Sequence, residues 1–382
     1  MPKKGLDRSV LRRVRLDLRR PSDHIRVVQP ETGVEYLSRV ANERPVPAKL
    51  QSRLVELRNL FADDVDAIES ELGRAVLNGL PDATSAASHL LSAGGKRIRP
   101  LCALLASRLF GQDVTSAAAR EVAIISELVH LATLLHDDVI DDGLERRGKP
   151  TARTLWGNGV SVLAGDLLLT HSLERASKLA PAEVLSDLFR TLRMLVDGEI
   201  VQLRGRVNFD DREETYTTIV DGKTASLFAW ASSSAARVVG ATPEQCEILG
   251  TFGGKLGKAF QMVDDVVDYE GEQSGKLLFA DLNEGKVTLP VLRVLQKEPT
   301  LRADVDRVRA GSNAETGEFT DAQRVSIERV IAAVRKHRIS DEIRAEAETM
   351  IRGATALLEK LPASPSRDLL GFVAFELCTR SN

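Results

Sequence analysis

The chain has 382 residues, 43% of them hydrophobic and only 4% aromatic, and its formal net charge is -3. That balance gives no bulk positive charge for binding nucleic acid, and no uninterrupted apolar run is long enough to span a membrane. Cys102, Cys246 and Cys378 lack metal-ligand spacing, and their odd number argues against a disulfide framework, so a reducing, cytoplasmic setting is expected.

Leu, Ala, Val, Ile, Glu and Arg dominate, a composition that suits helices. Residues 1–48 form a basic arm that includes Lys3, Lys4, Arg8, Arg12, Arg13, Arg15, Arg19 and Arg20. Asp7, Asp17 and Asp23 weigh against a transit peptide; the arm reads as flexible or loosely docked, or else as a short basic helix on a membrane surface. From Leu50 to Leu80 the apolar residues Leu54, Leu57, Leu60, Phe61, Val65 and Ile68 recur at helical intervals, and Gly79 and Pro81 close the run. Helices follow over 85–93, 100–109 and 117–136, the second of them opened by Pro100 and the third ending in an acidic cluster. Gly143, Gly148 and Pro150 mark a loop. Further helices are expected near 158–179, 183–206, 212–221, 223–239, 243–270, 286–296, 320–336, 340–361 and 367–380. Residues 300–320 read as an exposed loop, and no stretch alternates long enough to be a strand. The expected fold is all-α, one large single-domain helical bundle over residues 49–382.

Two copies of Asp-Asp-x-x-Asp lie on these helices, in LLHDDVIDD (134–142) and FQMVDDVVDY (260–269). Helical spacing puts Asp137 and Asp141 on one face, and Asp264 and Asp268 on one face of the other helix. Like charges at that spacing repel, so a compensating cation is expected. Mg²⁺ suits this pattern, because it takes a few carboxylates and fills its shell with water and substrate phosphate. A single copy reads equally well as a solvated helix end, but two copies in apolar contexts point to a pair facing each other across a bundle. Around them lie groups suited to phosphate. Gly94-Gly95-Lys96-Arg97-Ile98-Arg99-Pro100 combines flexible backbone, cations and a helix start, and Arg146-Arg147-Gly148 follows the first cluster. Lys223, Lys276 and Lys286 add point charges further along.

Over roughly residues 50–382 the sequence resembles the trans-isoprenyl (polyprenyl) diphosphate synthases, and among them most closely the octaprenyl-type long-chain enzymes. The resemblance rests on GGKRIRP (94–100), LLHDDVIDD with its trailing RRG (134–148), GKTASLF (222–228), FQMVDDVVDY (260–269) and DLNEGKVTLP (281–290), in that order. It implies a helical bundle around a deep central cavity, commonly a homodimer. It also implies a Mg²⁺-dependent prenyltransferase, with about three ions bound alongside substrate. The substrates would be isopentenyl diphosphate and an allylic diphosphate. By motif, Asp137, Asp141 and Asp264 bind metal with Asp138 and Asp268 assisting, and Arg146 and Lys223 complete the catalytic set. Arg146, Lys223, Gln261 and Lys276 hold the allylic diphosphate, with Thr224 adding a hydroxyl. Lys96, Arg99, His130 and Arg147 hold isopentenyl diphosphate. Without the resemblance, His130 and Gln261 would read as satisfied core residues, and His136 as packing.

Ala132 and Thr133 lie five and four residues before Asp137, about one helical turn of 5.4 Å below the cluster. Both are small, as is Ser126 further down, so a growing chain has room to pass and a product longer than farnesyl is expected. Small residues here would alternatively serve close helix packing. One departure stands out: Phe279-Ala280 precedes Asp281 where the family carries Gly and Asp, which bears on the roles of Asp281 and Lys286 in closure. The competing readings are a geranylgeranyl or farnesyl synthase, a terpene cyclase (which needs no second diphosphate pocket), and a non-catalytic partner subunit. Peripheral membrane contact for delivering an apolar product is compatible with the sequence.

Overall fold

The computed structural model describes residues 48–111, 115–270, 282, 286, 288–310 and 319–379. The basic arm up to residue 47 lies outside these, as do Lys276, Phe279, Ala280 and Asp281.

The described chain is almost wholly helical, as the composition and periodicity predict. Helix α1 covers Ala48–Val76 and α2 Pro81–Ser92. Pro81, read as the end of the first helix, instead opens the second: it occupies the first position, where a missing N–H costs nothing. Next come α3 (Ile98–Arg108) and α4 (Ala117–Ile140), the latter capped by Ser116, whose hydroxyl accepts from Ala119 N. The loop behind the first acidic cluster closes as a short antiparallel ribbon, Glu145–Arg146 against Lys149–Pro150. Helix α5 spans Ala152–Ala176 and breaks at Gly157, whose φ of 83° only glycine adopts freely, so its straight part begins where the sequence places it.

Helix α6 (Glu183–Val207) precedes a correction. The two helices expected over 212–221 and 223–239 form one continuous rod: α7 (Glu213–Val220), a π-helical turn (Asp221–Ala225) and α8 (Ser226–Arg237). In the π turn the Ser226 N–H reaches back to Asp221 O, so one extra residue is absorbed without breaking the rod. Helix α9 covers Pro243–Glu270 and α10 Leu289–Lys297. A second correction follows, because the stretch read as an exposed loop contains α11 (Arg302–Arg309), while 311–318 lie outside the described residues. Only Val305 and Val308 carry its buried apolar stripe within RADVDRVR, and buried Asp304 is held by Ser326 and Arg329. Helices α12 (Asp321–Lys336, with a Thr320–Gln323 capping box), α13 (Ile339–Leu358) and α14 (Pro365–Thr379) complete the bundle.

Helices α3 and α8 are buried nearly all round, which marks them as the centre of the bundle. Helix α8 packs on both α4 and α9, the two helices that carry the acidic motifs. The approach of α9 is close because Gly253 and Gly257 face α8. A Cβ on Gly253 would lie 2.5 Å from Phe228 O, and one on Gly257 would lie 2.7 Å from Ala225 Cα. Backbone cannot retreat as a side-chain end can, so Gly253→Ala is expected to destabilise the fold by about 1–3 kcal/mol. A thermal unfolding midpoint below that of the parent protein checks this.

Candidate active site

Helix α4 delivers the first cluster at its C-terminal end, where Asp141 N–H still bonds to Asp137 O at 2.8 Å. Asp138 is 3% exposed and points away from the other two carboxylates, its Oδ1 accepting from Arg146 Nε and Nη2, both at 2.8 Å. Asp141 is paired with Arg206 of α6 and, at 3.0 Å, with Lys286. Burial would raise its pKa, but Lys286 and Arg206 together outweigh that and hold it below the usual carboxylate range. Asp137 behaves in the opposite way. Burial first, then Glu199 and Asp141, push its carboxyl up to about 6 against the opposing charges of Lys223 and Lys286. Lys223 Nζ lies 3.8 Å from Asp137 and pairs directly with Glu199 of α6.

Two glycines explain how Lys223 and Glu199 meet. Gly198 and Gly222 let α6 cross the π turn so closely that a Cβ on Gly222 would lie 2.6 Å from Met194 O. The π turn also reaches α9: Lys258 Nζ lies 2.7 Å from Asp221, and Thr224 Oγ1 donates to Gln261 Oε1 at 3.0 Å. Consecutive residues of one turn, Lys223 and Thr224, thus contact the helices of both acidic motifs.

In the second motif Asp264 is exposed and Asp268 half-buried, while Asp265 between them is 4% exposed. Asp265 accepts from Tyr216 OH at 2.8 Å, Gln261 Nε2 at 2.9 Å and Leu289 N at 3.2 Å. It therefore ties α7 and the start of α10 to α9. Burial, followed by Asp265, drives the Tyr216 phenol well above its ordinary pKa, so it stays protonated and donates. Gln261 and Thr224, which the sequence assigns to substrate, are turned into this network.

The basic wall lies on α3, α4 and the ribbon. Gly95 leaves space into which both Arg97 and Arg147 guanidiniums reach. His130 on α4 is half-buried and held neutral, its pKa lowered by burial and by Arg99, Arg147, Arg146 and Arg97 in that order. Arg99 stacks 4.6 Å from the Phe228 ring centre. Arg97, Asp142 and Arg147 adopt left-handed backbone, φ 46°, 52° and 52°, which non-glycine residues adopt only uncommonly; Arg338, away from this wall, does so as well. Lys96 is half-buried at the same turn. His136 serves packing: its Nε2 lies 3.1 Å from Val162 O, and its ring fits against Gly165 of α5. Ala132 is 2% exposed, whereas Thr133 is half-buried, its hydroxyl turned back to His130 O at 2.8 Å.

Arg97, read from the sequence as one cation of the phosphate-suited turn, proves to be tied to two carboxylates, Glu69 and Glu127. Glu199, Arg206 and Glu127 escape the sequence reading. Their signal is faint, charged residues inside helices or beside better-known cations, although Gly198 in mid-helix marks where α6 must approach another backbone. The donor set fits Mg²⁺. The side chains at the two Asp faces offer carboxylate oxygen, and among the described residues no three His, Cys, Asp or Glu side chains converge on one point. Mg²⁺ takes oxygen ligands and typically binds through one or two carboxylates with water and substrate phosphate, which carboxylates at these faces would suit.

This arrangement agrees with what the chain is similar to. The family model described as polyprenyl synthetase matches residues 81–324. The chain is 37% identical to heptaprenyl diphosphate synthase component 2 of Geobacillus stearothermophilus, over 86% of this chain and 99% of that one. It is 34% identical to the octaprenyl diphosphate synthase of Escherichia coli (strain K12), over 83% of this chain and 96% of that one. A crystal structure of polyprenyl synthase from Caulobacter crescentus CB15, complexed with calcium and isoprenyl diphosphate, aligns with a TM-score of 0.75 at 32% identity, over 85% of this chain and 97% of that one. The chain belongs to the polyprenyl synthetase family, and it is a prenyltransferase.

The two neighbouring carboxylates of the second motif should separate experimentally. Asp265→Ala strands Tyr216 OH and Leu289 N, and is expected to cost about 2–4 kcal/mol. Asp264→Ala, at an exposed position, should leave the unfolding midpoint within about a degree of the parent protein while abolishing most prenyl transfer. Thermal melts beside a product assay check both.

Proposed function

We propose that this enzyme condenses isopentenyl diphosphate with an allylic diphosphate, repeatedly, to give a polyprenyl diphosphate longer than farnesyl. The observation that carries this reading is the pair of carboxylate faces on α4 and α9, joined by Lys223 and Thr224 of one π turn and flanked by the arginine wall. Asp137, Asp141, Asp264 and Asp268 would hold Mg²⁺, which would neutralise charge growing on the leaving diphosphate. Lys223 and Arg146 donate to the same oxygens from the chain. Lys96, Arg99, His130 and Arg147 hold isopentenyl diphosphate, neutral His130 donating without adding charge. Lys276 joins the allylic site by its place in the sequence. The allylic C–O bond breaks with its electron pair leaving on diphosphate, the isopentenyl double bond attacks the carbocation, and the proton lost passes to the departing diphosphate.

Small residues at Ala132 and Thr133 support a long product, as do relatives named for heptaprenyl and octaprenyl synthesis. We also propose a homodimer in which α5 and α6 pair with a second copy. Leu155 and Leu163 of α5 and Phe189, Val196 and Ile200 of α6 are exposed, and those of α6 recur at steps of seven and four residues, which keeps them on one helical face. The name component 2 of the Geobacillus stearothermophilus relative favours a second reading, in which this chain is one subunit of a heteromeric synthase.

Purified protein with Mg²⁺, labelled isopentenyl diphosphate and farnesyl diphosphate is expected to yield products beyond geranylgeranyl on chromatography. No product from any primer would point to the heteromeric reading. Thr133→Phe, at the half-buried position, should shorten the chain; an unchanged product removes Thr133 from length control. Val196→Glu together with Ile200→Glu should convert a dimer to a monomer in sedimentation analysis.

A further inference from the structure

Behind the isopentenyl diphosphate wall sits a buried acid that the reaction as written does not use. Glu127 lies on α4 one turn before His130, its side chain only 3% exposed, and its Oε1 accepts from Arg97 Nη1 at 2.8 Å. The other side of Arg97 is forked onto Glu69 of α1, Nε to Oε1 at 2.7 Å and Nη2 to Oε2 at 3.3 Å. These bonds hold Arg97 in its left-handed conformation at the start of α3. The charge of Glu127 extends further. Burial lowers the pKa of both Arg99 and Arg147, and in each case Glu127 is the carboxylate that opposes it. Arg99 Nε has no hydrogen-bond partner among the described residues.

Repeated condensation makes a demand on this pocket. The diphosphate that survives each cycle is the one brought by isopentenyl diphosphate, and it must leave the arginine wall for the acidic clusters before the next addition. A pocket of unopposed guanidiniums would retain it. We propose that Glu127 is a positioning residue and the built-in counter-ion of this pocket: it fixes Arg97, and with it the Gly94–Pro100 turn, while its charge offsets Arg99 and Arg147 so that diphosphate can move on. This rests on the reading under Proposed function.

The test is calorimetric titration of the full-length protein with inorganic pyrophosphate, without divalent cation so that the acidic clusters do not contribute. Glu127→Gln keeps the shape and removes the charge, and is expected to bind pyrophosphate about fivefold more tightly than the parent protein. Its KM for isopentenyl diphosphate should fall in parallel and its kcat should fall, with the KM for the allylic substrate unchanged. Glu127→Asp, which retains the charge, should return pyrophosphate affinity to near the parental value, and it serves as the test should Glu127→Gln not fold. Unchanged or weaker pyrophosphate binding by Glu127→Gln overturns the proposal. So does equal tightening in Glu69→Gln, which would show a general charge effect, or a loss of affinity in folded Glu127→Asp. A parent protein that forms no prenyl product sinks the underlying reading instead, whereas an active parent with an unmoved titration sinks only the role of Glu127.

Discussion

Opposition between the carboxylates at the end of α4 and basic side chains brought from distant elements holds the site together. Asp137 and Asp141 repel each other along the helix, a penalty of a few tenths of a kcal/mol on an open surface and more where solvent is displaced. Arg206 from α6, Lys223 from the π turn and Lys286 from the start of the segment leading into α10 all converge on them. The acids thereby fasten three separate parts of the chain to α4. On the proposed reading the same basic groups would turn to diphosphate oxygens when cations occupy the carboxylates, so the interactions that hold these carboxylates in place also prepare the site for substrate.

Each acidic motif divides its labour in the same way. Helical geometry turns neighbouring residues about a hundred degrees apart, so the middle Asp of each triplet cannot share the face of the outer two. Asp138 is buried on Arg146, and Asp265 is buried beneath Tyr216, Gln261 and Leu289 N. Burying a carboxylate is costly unless it is partnered; Asp265 accepts three hydrogen bonds, whereas Asp138 has Arg146 on one oxygen and burial still raises its pKa. The middle residues anchor the ribbon on one side and the α7–α10 junction on the other, which is consistent with the cation-facing role proposed for the outer residues.

Most helices were legible because their apolar spacing is strong, as in α1, α4 and α9. Where the sequence reading failed, the signal itself was weak or belonged to another element. Helix α11 was missed because only Val305 and Val308 give it a buried stripe among charged residues. The π turn was missed because Asp221-Gly222 reads locally as an interruption, and only the close passage of Gly198 shows why the rod continues there. Pro81 was assigned to the wrong helix because a proline can end one helix or begin the next with equal local justification.

The sequence by itself determined the helical class, the face-sharing of Asp137 with Asp141 and of Asp264 with Asp268, and the family, because periodicity and motif order are local properties of the chain. It also marked the basic wall, since Gly94-Gly95-Lys96-Arg97 and Arg146-Arg147 are contiguous. Only the tertiary structure decided which basic group meets which acid. Arg206 and Asp141 lie 65 residues apart, and Arg97 and Glu127 30 apart, and nothing in either neighbourhood names the partner. The Lys223–Glu199 pair likewise follows from how closely α6 approaches the π turn, which Gly198 and Gly222 permit. An approach distance is a property of two surfaces together, so no single stretch of sequence carries it.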